Sequence, residues 1–263
     1  MINVGVTGAS GRMGRLIIDN ILRSEDVCLT SAFDLVNIGK DVGEVAQIGT
    51  LNVPLSHVDD MEPVLKESGT QVLIDFTIAN ATAVNAPRAA ASGVDLVIGT
   101  TGLTAEQKKA IEDSILENGV SGIISPNYSV GVNVFFRILK EAAKYLGDTD
   151  IEIIEAHHNQ KKDAPSGTAK GAAEVISEAL GGKEYVYGRE GLAPRGKEIG
   201  IHAVRGGDIV GDHTVLFAGD GERIEIKHQA HSRQAFAGGA VKAAAWIGNA
   251  DPGLYTMQDI LGL

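Results

Sequence analysis

The chain carries one cysteine, Cys28, in 263 residues. A lone thiol excludes an intrachain disulfide framework and fits a reducing cytosol, so a cytoplasmic location is expected. Its place in an apolar run predicts a buried, inert side chain. No apolar run is long enough to span a bilayer, which argues against a membrane partner. The opening Met1-Ile2-Asn3-Val4-Gly5-Val6-Thr7 reads as a strand and lacks the basic start and apolar stretch of a signal peptide. Basic excess is also missing. Lys and Arg total 23 against 34 Asp and Glu, a net charge of −11. With no basic arm or stripe, nucleic-acid binding is not expected. An anionic substrate would therefore need a local positive field. There is no internal repeat and no low-complexity segment. What remains is 44% hydrophobic and 22% charged, ordinary for a soluble globular chain. Its length allows one large domain or two modest ones.

The first half alternates between two periodicities. Residues 2–7, Val27–Phe33, Val72–Phe76, Val94–Ile98 and Ser121–Ile124 are short apolar runs that read as strands. Between them, Arg12–Leu22 has apolar residues at helical spacing, Asn80–Ala91 is alanine-rich, and Thr104–Leu116 opens with a Thr104–Gln107 capping box. Alternating strands and helices predict a parallel sheet covered on both faces. The pattern changes after about residue 127. A helix over Gly131–Tyr145 leads to a strand over Ile151–Ala156, a loop, and a helix from about Ser166 to Leu180 that Gly181-Gly182 ends. Glu198–Val204, Thr214–Ala218 and Glu222–Gln229 read as extended, and Gln234–Ile247 as helical. The expected organisation is α/β, with residues 1–127 and the tail 238–263 forming a Rossmann-like parallel-sheet domain. Residues 128–237 would form a second, α+β mixed-sheet domain. Glu184–Lys197, with three glycines and one proline, is a candidate flexible segment.

Gly8, Gly11 and Gly14 follow the first strand and open the first helix. Glycines there permit a tight turn and close approach of a pyrophosphate, which the helix N-terminus then binds. Asp34 ends the second strand, where a carboxylate accepts hydrogen bonds from an adenosine ribose. The spacing is GxxGxxG rather than GxGxxG, so the signal lies in the loop, the helix and Asp34 together. Asp34 favours NADH by repelling a 2′-phosphate, and Arg12 and Lys40 could offset that repulsion. Gly99-Thr100-Thr101-Gly102 ends the fourth predicted strand and either lines the same crevice or is a plain turn.

Residues 155–169 read Glu-Ala-His-His-Asn-Gln-Lys-Lys-Asp-Ala-Pro-Ser-Gly-Thr-Ala. Adjacent histidines on a strand face opposite ways, and no further ligand at zinc spacing accompanies them, so a metal site is not expected. Ser166 lacks the GxSxG elbow of a nucleophile. A solvated charged loop is the plain alternative. The favoured reading is an anion site with a proton donor. His157 or His158 can pass a proton near neutral pH, and a neighbouring lysine, Lys161 or Lys162, can donate one or hold a carboxylate. Ser166 can cap the next helix, whose Gly167 and Thr168 N–H groups then face an anion. Asp163 is placed to orient a cation or to form a surface pair worth little.

These fifteen residues resemble the hallmark E-x-H-H-x-x-K-x-D-x-P-S-G-T-A of the 4-hydroxy-tetrahydrodipicolinate reductases, also called dihydrodipicolinate reductases, matching every fixed position. The loop with Arg12-Met13, the turn Gly99–Gly102, the segment Asn127–Asn133, and His231-Ser232-Arg233 to Trp246 also look like family segments. The resemblance implies an NADH- or NADPH-dependent oxidoreductase of the diaminopimelate route to lysine. Its substrate would be a cyclic dicarboxylate and its assembly a homotetramer. It further implies that His157 and Lys161 are catalytic and that His158, Ser166, Gly167 and Thr168 bind substrate. The implied dinucleotide site comprises Gly8, Ala9, Ser10, Gly11, Arg12, Met13, Asp34, Gly99, Thr100, Thr101, Ser125, Pro126, Asn127 and Tyr128. Leu35 stands where some members carry a basic residue, and Tyr128 where many have Phe. Two other readings compete: a two-domain amino-acid dehydrogenase, which would release or consume ammonia, and a dinucleotide-sensing regulator, which would bind without turnover.

Overall fold

A computed structural model describes every residue from Met1 to Leu263. The chain divides into two compact units, Met1–Val130 with Gln234–Gly262, and Gly131–Arg233. The first unit begins with β1 (Ile2–Thr7), α1 (Arg12–Leu22), β2 (Val27–Asp34), α2 (Val42–Ala46), β3 (Leu55–His57) and α3 (Met61–Ser68). It continues with β4 (Val72–Asp75), α4 (Ala79–Ala91), β5 (Asp95–Ile98), α5 (Ala105–Glu117) and β6 (Ser121–Ile124). The second unit carries α6 (Val130–Leu146), β7 (Asp150–His157), α7 (Gly167–Ala179), β8 (Tyr185–Tyr187), β9 (Ile199–Arg205), β10 (Gly211–Gly219) and β11 (Glu222–Ala230). The chain then returns to the first unit as α8 (Gln234–Ile247), β12 (Gly253–Tyr255) and α9 (Met257–Leu261).

Seven parallel strands in the order β12-β6-β5-β4-β1-β2-β3 make the first sheet. The chain leaves β1 toward one edge and returns to β4 on its other side, so the strand order reverses between β1 and β4. In open sheets of this kind, ligands bind at that reversal, outside the carboxyl ends of the strands. Both faces are covered. Ile74 and Val97 pack under α1 and α8 with Ile17, Ile18 and Ala244. Leu73 and Leu96 pack on the other side with Leu65, Ala89, Ile111 and Ile115. Burial on both faces accounts for the unbroken apolar runs of β4 and β5. The Thr104 capping box is formed, with Oγ1 accepting from the Gln107 N–H at 3.2 Å and Gln107 Oε1 accepting from the Thr104 N–H at 3.0 Å.

The second sheet runs β11-β10-β7-β9-β8. It is mixed: β7 pairs parallel with β9 and antiparallel with β10. Helices α6 and α7 cover one face, burying Phe135, Leu139, Ala169, Ala172, Ala173 and Ile176 against Ile151, Ile153, Ile201, Val215 and Phe217. The fold class is the expected one: a Rossmann-like parallel sheet joined to an α+β mixed-sheet unit.

Two expectations need correction. Residues 35–71 carried no expected element, yet they hold α2, β3 and α3; strands of three residues such as β3 are too short for periodicity to register. Cys28 is only half-buried, because it lies near the amino-terminal rim of the sheet, where its thiol donates to Asn3 Oδ1 at 3.1 Å. Glu184–Lys197 is anchored near its two ends, while residues 190–194 between them are exposed. Tyr185–Tyr187 pairs with β9, and the Arg195 guanidinium donates to Glu152 and to the Ile151 and Glu198 carbonyls at 3.0–3.1 Å.

Candidate active site

The glycine loop sits at the carboxyl end of β1. Gly8 has φ +71°, a conformation that disfavours a side chain, and its N–H donates to the Phe33 carbonyl at 3.0 Å. A Cβ on Gly14 would overlap the Gly8 carbonyl oxygen and stand 2.7 Å from Ala9 Cα, so the turn closes only with glycine there. Gly11 caps α1 in an extended conformation without any side-chain acceptor, and a Cβ on it would touch only the Gly8 oxygen, at 3.0 Å. The helix thus presents its positive end to open space, as a pyrophosphate requires. Asp34 closes β2 beside this loop, its carboxylate accepting from the Ser10 N–H at 2.8 Å and the Leu35 N–H at 2.7 Å. Two backbone donors fix the carboxylate and leave it lone pairs for a ribose. Arg12 and Leu35 are exposed beside it, and the Lys40 ammonium donates to Asn37. These residues fit a dinucleotide.

The remaining expected cofactor residues also lie at carboxyl ends of strands, but their side chains differ in use. Thr100, after β5, is buried: its hydroxyl donates to Asp75 Oδ1 at 2.8 Å and accepts from the Thr77 N–H at 2.8 Å. The same Asp75 oxygen takes hydroxyls from Thr77 and Thr82 at 2.8 and 2.9 Å. Asp75 therefore ties the β4 and β5 loops together, a role not foreseen from sequence. Thr101 is exposed, and Gly99 leaves room for the Phe76 ring. After β6, Ser125 Oγ donates to the Asn127 carbonyl at 3.1 Å, and Pro126 is exposed. Tyr128 lies in the core with 1% exposure, its hydroxyl aimed at the Ile98 and Ile123 carbonyls and its own carbonyl packed against Gly239 of α8, so its side chain is not open to a ligand.

In the second unit, β7 delivers His157 and Glu155 to one face, since residues two apart on a strand point the same way. Glu155 is fully buried. Its Oε2 lies 2.6 Å from His157 Nδ1 and 2.8 Å from Arg205 Nη1; its Oε1 accepts from Arg205 Nη2 and the Ser166 N–H, both at 2.9 Å. Burial pushes the Glu155 carboxyl up, but Arg205, His157 and the Ser166 N–H together hold it below the usual range. Burial pulls His157 below the ordinary imidazole value despite the adjacent carboxylate, and Lys161 and Arg205 add to the depression. Lys161, on the following loop, pairs with Asp163 at 2.9 Å. His158 is half-buried on the turn, its carbonyl accepting from the Lys161 N–H at 3.1 Å.

Ser166 caps α7. Its hydroxyl accepts from the Ala169 N–H at 3.2 Å and lies 2.9 Å from His213 Nε2. Gly167 faces open space on the first turn, next to Thr168. His213 is buried, meets the His157 ring edge-on at 5.1 Å, and is pulled down to about 4 by burial, with His157 adding to it. Glu155 lies inside the motif but had no expected role, and two further members of this cluster, Arg205 and His213, were not expected at all. Strand register brings them in: Arg205 lies beside His157 on β9, and His213 opposite Glu155 on β10. The available signal was His213 in an alternating apolar strand, at a position where a core residue belongs.

A family model described as dihydrodipicolinate reductase, N-terminus, matches residues 2–128, and one described as its C-terminus matches residues 131–261. The chain belongs to the dihydrodipicolinate reductase family. It is an oxidoreductase that uses a nicotinamide dinucleotide. The 4-hydroxy-tetrahydrodipicolinate reductase of Methanococcoides burtonii is 76% identical over 262 residues, covering all of both chains. That of Methanocaldococcus jannaschii is 55% identical, covering 100% of this chain and 98% of its own. A solved dihydrodipicolinate reductase from Paenisporosarcina sp. TG-14, with dipicolinate bound, aligns with a TM-score of 0.79 at 27% identity, over 97% of each chain. No helix is long and apolar enough to cross a membrane.

Proposed function

We propose that the chain reduces 4-hydroxy-tetrahydrodipicolinate to tetrahydrodipicolinate, with loss of water, in the diaminopimelate route to lysine. The relatives' names and the dipicolinate on the solved relative support a cyclic dicarboxylate as substrate. The observation that carries the reading is the convergence of His157, Lys161 and the first turn of α7 on one loop. The overall balance is substrate plus reduced dinucleotide plus a proton giving product, water and oxidised dinucleotide. The bound dinucleotide supplies the hydride. His158, Gly167 and Thr168 hold a substrate carboxylate, the helix end supplying part of the field that the net charge of −11 withholds elsewhere. Lys161 gives the proton that completes the reduction. Burial favours the neutral form of His157, so Nε2 accepts a proton or a hydrogen bond rather than belonging to a standing cation. Ser166 contributes by holding α7 in place.

Asp34 and the uncharged Leu35 support NADH over NADPH, because neither offers a counter-charge to a 2′-phosphate. The outer face of the second sheet leaves Ile154 and Val204 40% and 47% exposed, which supports self-association through that face, as the implied homotetramer would need. Equilibrium sedimentation checks that mass.

The deciding experiment follows oxidation of NADH and of NADPH with substrate generated from pyruvate and aspartate semialdehyde. Oxidation that needs both precursors, faster with NADH, is expected. Lys161→Met should lower kcat roughly 100-fold or more, as loss of a proton donor does. No oxidation by protein that still binds nucleotide would overturn the proposal.

A further inference from the structure

Arg205 and Glu155 take no direct part in the chemistry above, yet they touch every element that does. The Arg205 guanidinium spends two nitrogens on the two oxygens of Glu155, and Nη2 also donates to the Asp163 carbonyl at 2.6 Å. Asp163 in turn holds Lys161 through its carboxylate, at 2.9 Å. Glu155 holds His157 Nδ1 with one oxygen and the Ser166 N–H, at the start of α7, with the other. Four donors fill the carboxylate, so it has no capacity left for a ligand. It therefore acts through its neighbours.

We propose that Arg205 and Glu155 form a positioning pair that fixes the His157 ring, the Lys161 loop and the α7 N-terminus in one arrangement. The pair keeps the His157 proton on Nδ1, so that Nε2 is the nitrogen offered to substrate. The Glu155 carboxylate accepts at Nδ1, which selects that tautomer. Nε2 lies beside Gly211, where a Cβ would come within 3.1 Å, so β10 leaves that nitrogen room. Arg205 fits the task better than lysine would, because a planar fork can hold both oxygens and a carbonyl at once. The proposal rests on the reductase reading for its kinetic consequence and not for its structural one.

A buried ion pair that merely holds the sheet together would look similar in geometry, so the test must read His157 itself. The charged and titratable groups facing its ring are Glu155 on β7, Arg205 on β9, His213 on β10 and Lys161 on the loop, with His228 of β11 beyond His213. Removing the carboxylate and removing the guanidinium change that field in opposite senses. In Glu155→Gln the His157 titration should move to lower pH, and in Arg205→Met to higher pH, each by about one pH unit or more. Nitrogen NMR of the histidine rings reads both the titration and the tautomer without any substrate. The double variant Glu155→Gln with Arg205→Met leaves no unpaired charge and keeps the test open if a single variant does not fold. In the turnover assay each variant should lose about 10- to 100-fold in kcat, with a smaller change in KM. Arg205→Lys should recover the direction of the titration but not full turnover. An unchanged His157 tautomer and titration in folded variants would overturn the proposal. An inactive wild type whose variants still shift as stated would overturn the reductase reading and leave the pair intact.

Discussion

Replacing Ser166 by alanine separates two roles that the family motif leaves merged. The hydroxyl is 2% exposed and already engaged on both sides, by the Ala169 N–H at 3.2 Å and by His213 Nε2 at 2.9 Å. Loss of the helix cap costs about 1 kcal/mol. Leaving a buried imidazole nitrogen unpaired costs about 1–3 kcal/mol more. Ser166→Ala should therefore destabilise the chain by ~2–4 kcal/mol. Urea unfolding followed by circular dichroism measures this directly. KM for the dicarboxylate should change little, because the hydroxyl is not free to meet it. Stability within about 0.5 kcal/mol of wild type together with a roughly tenfold higher KM would refute the reasoning. Ser166 would then be a ligand group, as the motif alone suggests.

Gly14→Ala should abolish dinucleotide binding by calorimetry, since the added Cβ overlaps the Gly8 carbonyl oxygen and forces the loop open; retained affinity would remove this loop from the site. Asp34→Ala should weaken NADH about tenfold and narrow the gap to NADPH, as expected for losing a charged ribose acceptor; equal losses for both cofactors would refute the ribose role. His213 links stability to pH. Its folded value of about 4 lies below the ordinary 6.5, so the unfolded chain binds more protons between those limits. Its contribution is present above about pH 6.5 and is lost as pH falls toward 4, on the order of 3 kcal/mol. His213→Asn should lower the slope of stability against pH in that window by close to one proton, and an unchanged slope would refute the assignment.

The first unit was legible where local signals are strong. The bounds of α1 came out as expected, because an amphipathic stripe between turn residues defines a helix without reference to the rest of the chain, and those of α8 did so on composition, its alanine-rich apolar run favouring a helix. The glycine loop and Asp34 were legible for a similar reason: strand, turn and helix are consecutive, and the carboxylate lies one βα unit away. Residues 35–71 were not. There the backbone is organised by Asp41, whose carboxylate accepts from the N–H groups of Gly43, Leu51 and Val53, contacts spread over a dozen residues with no repeating period. Tyr128 misled in another way. A tyrosine among ligand-loop residues reads as a contact group, and only the carbonyls of Ile98 and Ile123, delivered by neighbouring strands, turn its hydroxyl inward.

The second unit draws the line more sharply. Everything the chemistry needs from residues 155–169 is local: a strand end, a turn and a helix start. What sets the properties of those residues is not local. Arg205 reaches Glu155 across 50 positions, and His213 reaches Ser166 across 47. Both distances are set by the pairing of β9 and β10 with β7, and a slip of one residue would turn Arg205 and His213 to the other face. A motif therefore names the groups that react, whereas register decides the charge each one carries. His157 makes the point: sequence offers a histidine that titrates near neutrality, and the sheet buries it between a carboxylate, a guanidinium and a second imidazole, with burial winning. Its working protonation state belongs to the sheet.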